Sequence, residues 1–149
     1  MWWIVLFVLA ILFLLGWLWS LFPEIRLERA RELFRLQHGR LENLFLDEVR
    51  KSGKPRGLHW VNCEFAGAVV FARERESRMI HALIPMQIQF EALPEGDMID
   101  NPNVAEPRTG CAVFYFEEGG WFTQGKVLFN VSVAEAMQLF GAQYEEIKG

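Results

Sequence analysis

Residues 1–22 read MWWIVLFVLAILFLLGWLWSLF and contain no charged side chain. An α-helix of this length measures about 33 Å, enough to cross the roughly 30 Å hydrocarbon layer of a bilayer. Indole rings prefer the headgroup level of a membrane, and the run carries tryptophans at both ends: Trp2, Trp3, Trp17 and Trp19. The run therefore predicts a single transmembrane anchor with these four side chains at its interfaces.

A cleaved signal peptide does not fit this run. Such a peptide has a basic start, an apolar stretch of about 7–15 residues and a small-x-small cleavage site. No basic side chain precedes the run, and bulky residues such as Trp19 and Phe22 occupy its end. We therefore expect the segment to remain in the mature chain.

The charges that follow the anchor predict its orientation. Lys and Arg close to a span are retained on the cytoplasmic side, and the membrane-proximal basic residues all follow the run: Arg26, Arg29, Arg31, Arg35 and Arg40. This predicts a single-pass protein of the cell (inner) membrane, with the N-terminus outside and the C-terminal domain in the cytoplasm. The alternative is a signal anchor, which would place that domain on the periplasmic or extracytoplasmic side.

Residues 23–53 predict an amphipathic helical stalk. The apolar side chains fall within about 120° of a helical wheel; they are Leu27, Ala30, Leu33, Phe34, Leu41, Leu44 and Phe45. Pro23 suits a first helical turn, and Gly53 followed by Pro55 suits a stop. Gly39 lies on the polar side, so a break near His38 is an alternative to one continuous helix.

Three interpretations of the apolar stripe remain open at this point. The helix could pack on the chain's own C-terminal domain, pair with a partner helix or a second copy, or lie in the membrane interface. Alternating Glu and Arg weaken the last of these, because helices that lie on a membrane are usually more basic. The candidate partner contacts on this helix are Leu27, Phe34, Leu41 and Phe45.

Residues 54–149 predict a small antiparallel sheet with a C-terminal helix. Strand alternation replaces the helical period after residue 57, with strands near 58–65, 68–73, 79–91, 111–117 and 121–131. Pro85 cannot donate to a ladder, so the third strand is expected to be an edge there, bulged, or divided in two. Ser132 and Glu135 have the spacing of a capping box. The predicted fold class is α+β, with about five strands.

The fourth and fifth strands carry aromatic side chains on both faces of one hairpin. Residues 114–116 are Phe-Tyr-Phe, and residues 121–122 are Trp-Phe. One face can form the core under a helix, whereas the other must be covered by another layer of the chain or by a partner. This predicts three further candidate partner contacts, Tyr115, Trp121 and Phe122.

No motif for phosphate, acyl-transfer or zinc-hydrolase chemistry is present. His59, Cys63, His81 and Cys111 could form a metal site only by tertiary coincidence, and the acidic loop at residues 95–103 lacks EF-hand spacing. Cys63 and Cys111 could be free thiols or one disulfide. No metal, cofactor or catalytic residue is predicted. Residues 57–149 carry six basic and thirteen acidic side chains, which argues against nucleic-acid binding.

These observations predict a membrane-anchored accessory or scaffold subunit that acts by protein–protein contact, with the lipid bilayer and a membrane protein or a second copy as its partners. One alternative is a membrane-tethered sensor or small-ligand binding domain. The other is a membrane-bound enzyme without a recognisable motif. A cavity with convergent polar groups would favour the small-ligand binding domain, and an exposed aromatic patch would favour the scaffold subunit.

Overall fold

The computed structural model describes residues 1–53 and 55–148. Its first helix, α1, spans Trp2–Leu36, and its second, α2, spans His38–Ser52. The apolar run and the first part of the predicted stalk therefore form one helix. Pro23 lies inside α1 and does not begin a new helix, so that expectation was wrong. One proline removes only one N–H donor, and the helix continues on both sides of it.

The predicted break in the amphipathic segment occurs at Gln37, one residue before His38. Gln37 joins α1 to α2 with a φ of −100° and a ψ of 12°. Hydrogen bonds still run from the Gln37 N–H to the Leu33 carbonyl and from the Leu41 N–H to the Gln37 carbonyl, at 2.9 Å each. The two helices are thus distinct but directly linked.

One antiparallel sheet forms the rest of the domain, and it has seven strands where about five were expected. The strands are β1 (Leu58–Phe65), β2 (Val70–Glu74), β3 (Ile80–Ala92), β4 (Arg108–Glu117), β5 (Gly120–Phe122), β6 (Val127–Phe129) and β7 (Tyr144–Glu146). A 3-10 turn at Pro102–Ala105 precedes β4, and α3 (Val133–Leu139) precedes β7. The main order is β5-β4-β3-β2-β7, with β1 also beside β3 and β6 also beside β4. The fold class is α+β.

Pro85 lies in a strand that is central along most of its length. On one side β3 pairs with β4 from Ile80 to Ile88, whereas on the other side β1 ends opposite Met86 and β2 begins opposite Leu83. The Pro85 carbonyl accepts from the Ala66 N–H at 2.8 Å, so the side of Pro85 that lacks a donor faces this gap. The proline therefore removes no ladder bond, and β3 is an edge only locally.

The stripe on α1 and α2 packs against the sheet of the same chain. Leu27, Phe34, Leu41, Phe45 and Val49 are buried in one core with the inward side chains of β3 and β4. Burial of this apolar area is what holds the helices to the sheet. The apolar stripe of residues 23–53 therefore packs on the chain's own C-terminal domain, as the first of the three interpretations anticipated.

Phe34 lies at the centre of this core. Its ring makes edge-to-face contacts with Trp121, Phe114 and Phe71, at centroid distances of 5.1, 5.6 and 5.9 Å. The indole Nε1 of Trp121 also donates to the Ala30 carbonyl at 2.8 Å in a buried setting. The C-terminal part of α1, around Ala30 and Phe34, is thus joined to the sheet by aromatic packing and by a hydrogen bond.

The opposite face of the sheet, which we call the outer face, has a smaller core under α3. Ala72, Leu83, Cys111, Ala136 and Tyr144 are its buried members. The predicted capping box is present. The Glu135 N–H donates to the Ser132 hydroxyl, and the Glu135 carboxylate accepts from the Ser132 N–H at 2.8 Å. The predicted C-terminal helix is confirmed.

Candidate functional site

The apolar segment, residues 1–22, projects from the domain. Its side chains are exposed except Leu21, which is half-buried. By length and composition α1 is the one helix, among the described residues, that could cross a membrane. The four tryptophans are exposed at the two ends of this segment. The domain core begins at Leu27, little more than one helical turn after Phe22.

A cavity of about 380 Å³ lies where the apolar segment meets the domain. Three arginines from three parts of the chain line it: Arg26 on α1, Arg73 on β2 and Arg78 in the turn before β3. Phe22, Pro23 and Ile80 supply its apolar wall. We call this site the arginine-lined cavity.

The β2–β3 hairpin brings two of these arginines to α1. Arg73 pairs with Ile80 in the ladder, and Arg78 adopts a φ of 60° in the turn between them. The turn is tied by hydrogen bonds from the Ser77 hydroxyl to the Glu74 carboxylate and from the Arg78 N–H to the Glu74 carbonyl. The sequence predicts this hairpin, but no local pattern indicates that its flanking arginines meet Arg26, 47 or more positions earlier in the chain.

The five predicted membrane-proximal arginines have different surroundings. Arg26 lies 6.0 Å from the Phe116 ring and lines the cavity. Arg31 pairs with Glu28 at 2.9 Å and lies over the Phe71 ring. The other three are exposed: Arg29, Arg35 and Arg40. Only Arg26 therefore converges with other basic side chains at this cavity.

Five of the seven predicted partner contacts are covered by the chain itself. Leu27, Phe34, Leu41, Phe45 and Trp121 are buried in the core between helices and sheet. They are therefore not available to a partner in this structure. The physical reason is that the helix stripe and the inward aromatics of the hairpin cover each other.

The two remaining predicted contacts form a pair on the outer face. The rings of Tyr115 and Phe122 stack at 6.0 Å with an interplanar angle of 28°. Phe122 is 45% exposed, and Tyr115 is half-buried. Neighbouring residues Phe116 and Trp121 point to the opposite face and contact α1. We call Tyr115 and Phe122 the outer aromatic pair.

His81 lies beside this pair and is buried without hydrogen bonds. Its exposed fraction is 9%, and neither ring nitrogen has a hydrogen-bond partner among the described residues, although Nε2 lies 3.9 Å from the Glu74 carboxylate. Burial lowers the pKa of His81 below its ordinary value, while the Glu74 carboxylate opposes this shift and Lys126 adds to it. The Tyr144 ring packs on the imidazole at 5.0 Å. A neutral imidazole with this packing is part of the outer core.

The cysteines lie on opposite faces of the sheet, so they cannot form an intrachain disulfide. Cys63 belongs to the helix-side core and Cys111 to the outer core. Burial raises the pKa of both thiols to about 11. Within the described part of the chain, no group of three His, Cys, Asp or Glu side chains is arranged to hold a metal ion.

Comparison of the chain with protein-family models, curated proteins and solved structures found no match.

Proposed function

We propose that this protein is a single-pass, membrane-anchored accessory or scaffold subunit that acts by protein–protein contact. Its apolar segment spans the cell (inner) membrane, and its α+β domain recognises a membrane-protein partner or a second copy of the chain. The observation that supports this most strongly is the continuity of α1. The same helix supplies the exposed apolar segment and, from Leu27 onward, the centre of the domain core.

With the apolar segment in the membrane, this continuity would hold the domain close to the bilayer. A free stalk would let the domain move away from the membrane, whereas Phe34 and the Trp121–Ala30 hydrogen bond hold the sheet on α1. Leu27 is five residues beyond Phe22, or about 8 Å along the helix. A partner that contacts this end of the domain would therefore lie at the membrane surface or within the membrane.

The outer aromatic pair is the surface we assign to the partner. Tyr115 and Phe122 lie near the end of the sheet that is closest to the apolar segment, since the adjacent Phe116 contacts Arg26. Aromatic side chains are enriched in interface cores. The apolar segment and the outer aromatic pair together offer one partner two contacts at the same end of the domain.

Photocrosslinking in intact cells tests this assignment. A photoreactive phenylalanine analogue replaces Phe122 in one variant and Gln89 in the control. Gln89 is exposed on the outer face, farther along β3 from the apolar segment. We expect one discrete crosslinked product from position 122, containing either another membrane protein or a second copy, and none from position 89. A purified full-length monomer without crosslinks from position 122 would contradict the proposal.

The flanking arginines support an orientation with the N-terminus outside and the domain in the cytoplasm. An impermeant thiol reagent tests it, because the native cysteines are buried and their raised pKa keeps them unreactive. We expect the variant Trp2→Cys to be labelled in intact cells, and the variant Asp100→Cys to be labelled only after permeabilisation. The reverse pattern would place the domain on the extracytoplasmic side.

A further inference from the structure

Three arginine side chains and one nearby carboxylate, that of Glu145, determine the charge of the arginine-lined cavity. Across residues 1–53 and 55–148, no carboxylate lies within 4.0 Å of Arg26 or Arg73. Arg78 approaches Glu145 at 3.9 Å, and both side chains are more than half exposed. Glu145 also lies opposite Arg73 in the β2–β7 ladder, so its carboxylate offsets part of the charge of these two arginines. With three arginines and one carboxylate, the cavity keeps a net positive charge in a domain whose sheet region is acidic overall.

The position of the cavity along α1 indicates its surroundings. Phe22 ends the uncharged run, and Arg26 follows one turn later, about 6 Å along the helix. Each headgroup layer of a bilayer is about 5–7 Å thick. If the apolar segment fills the hydrocarbon layer, Arg26 lies at the depth of lipid phosphates, and so does the cavity that it lines with Arg73 and Arg78. Phe22 and Pro23 then face the start of the acyl chains.

Guanidinium groups bind phosphate by paired, charge-assisted hydrogen bonds. Three of them around one cavity suit a phosphate that carries net negative charge, and the apolar wall suits the glycerol and upper acyl region of a lipid. A zwitterionic headgroup places a cation beside its phosphate, which the three arginines would repel.

We propose that the arginine-lined cavity binds the headgroup of one anionic phospholipid. The inference rests on the proposed membrane anchoring, and it assigns a lipid ligand that the protein–protein role does not include. Bound lipid would join α1 to the β2–β3 hairpin through its phosphate, because Arg26 belongs to the former and Arg73 and Arg78 flank the latter. Positive potential near an anionic leaflet adds to this attraction.

Native mass spectrometry of the full-length protein in mild detergent tests the site. Dioctanoyl phosphatidylglycerol and dioctanoyl phosphatidylcholine are titrated separately. The test variant is Arg73→Gln/Arg78→Gln, and the control is Arg40→Gln/Arg108→Gln, which removes the same charge from exposed positions outside the cavity. Far-UV circular dichroism and thermal unfolding check that both variants fold.

We expect one phosphatidylglycerol to bind at least about tenfold more tightly than phosphatidylcholine. Loss of two charge-assisted contacts should weaken that binding by at least about tenfold in the test variant, with a change below about twofold in the control. Equal affinity for the two lipids, or equal loss in the two variants, would overturn the proposal.

A parallel titration with a water-soluble phosphate compound distinguishes a lipid ligand from a free phosphate. Glycerol phosphate lacks acyl chains, so it should bind far more weakly than the lipid. Equal affinity would reassign the cavity to a soluble phosphate compound. Alkaline carbonate extraction of native membranes tests the anchor independently: release of the protein would refute the proposed membrane role, whereas the detergent titration would still report on the cavity.

Discussion

Replacement of Phe34 tests whether the C-terminal part of α1 belongs to the domain core. The variant Phe34→Ala removes a ring that is 2% exposed and lies at the centre of the aromatic cluster. Leu36→Ala is the matched control, because Leu36 is two residues away on the same helix and 69% exposed. The two substitutions separate burial from any general effect of alanine on α1.

The expected loss for Phe34→Ala is about 3–5 kcal/mol of unfolding free energy. Much of this comes from lost burial and an unfilled cavity, and a further part from the three edge-to-face contacts, each worth about 0.5–1.5 kcal/mol. The control should change by less than about 0.5 kcal/mol. A domain of this size should then lose about 10–20 °C in Tm for Phe34→Ala.

Thermal unfolding of the full-length protein in mild detergent, followed by near-UV circular dichroism, measures these differences. Phe34→Leu provides a milder variant that keeps part of the volume, and we expect its Tm to lie between those of the wild type and Phe34→Ala. A loss below about 1 kcal/mol for Phe34→Ala, or equal losses at positions 34 and 36, would refute the packing of α1 on the sheet.

Three further predictions follow from buried polar groups. Trp121→Phe removes the hydrogen bond to the Ala30 carbonyl and should cost about 1 kcal/mol from that bond, with additional lost packing, in chemical denaturation; an unchanged midpoint would contradict the bond. Burial lowers the pKa of His81 below 6.5, so as pH falls the unfolded chain takes up a proton on this histidine before the folded chain does. The contribution of His81 to the unfolding free energy is therefore complete above about pH 6.5 and is lost as pH falls toward the lowered pKa. Unfolding at about pH 7.5 and about pH 5.5 should show this loss in the wild type and a smaller loss in His81→Leu; identical losses would assign the acid sensitivity to other groups. Finally, a thiol reagent at about pH 8 should label neither Cys63 nor Cys111 in the folded protein and both in denaturant, since burial raises each pKa to about 11; rapid labelling of the folded protein would show that these thiols are accessible.

Local patterns predicted most of the elements of this fold. The helical stripe, the alternation along β3 and the capping box at Ser132 each depend on neighbouring residues, and each is present. The predicted fifth strand is instead two strands, β5 and β6, because Gly125 turns the chain at a φ of 68° between them. The third short strand, β7, forms only by pairing with β2, which no local pattern indicates.

Tertiary packing determined what local patterns left open. Pro23 suits a helix start by itself. In the structure α1 instead continues through it, from the apolar segment into the domain core. The stripe on the helix and the aromatics of the hairpin were each compatible with an external partner, and they cover each other. The arginine-lined cavity depends on residues 26, 73 and 78 meeting in space, so sequence spacing alone could not identify it.

The central claim is that α1 holds the domain against the bilayer surface. Spin labels at Glu76→Cys, in the β2–β3 turn, and at Asp100→Cys, in the loop before β4, test it with the full-length protein in lipid nanodiscs. Collision with oxygen and with a water-soluble nickel complex reports the depth of each label. We predict that the label at position 76 lies within the headgroup layer, within about 5–7 Å of the hydrocarbon boundary, and the label at position 100 in bulk water. Equal, fully aqueous exposure of both labels would contradict the account.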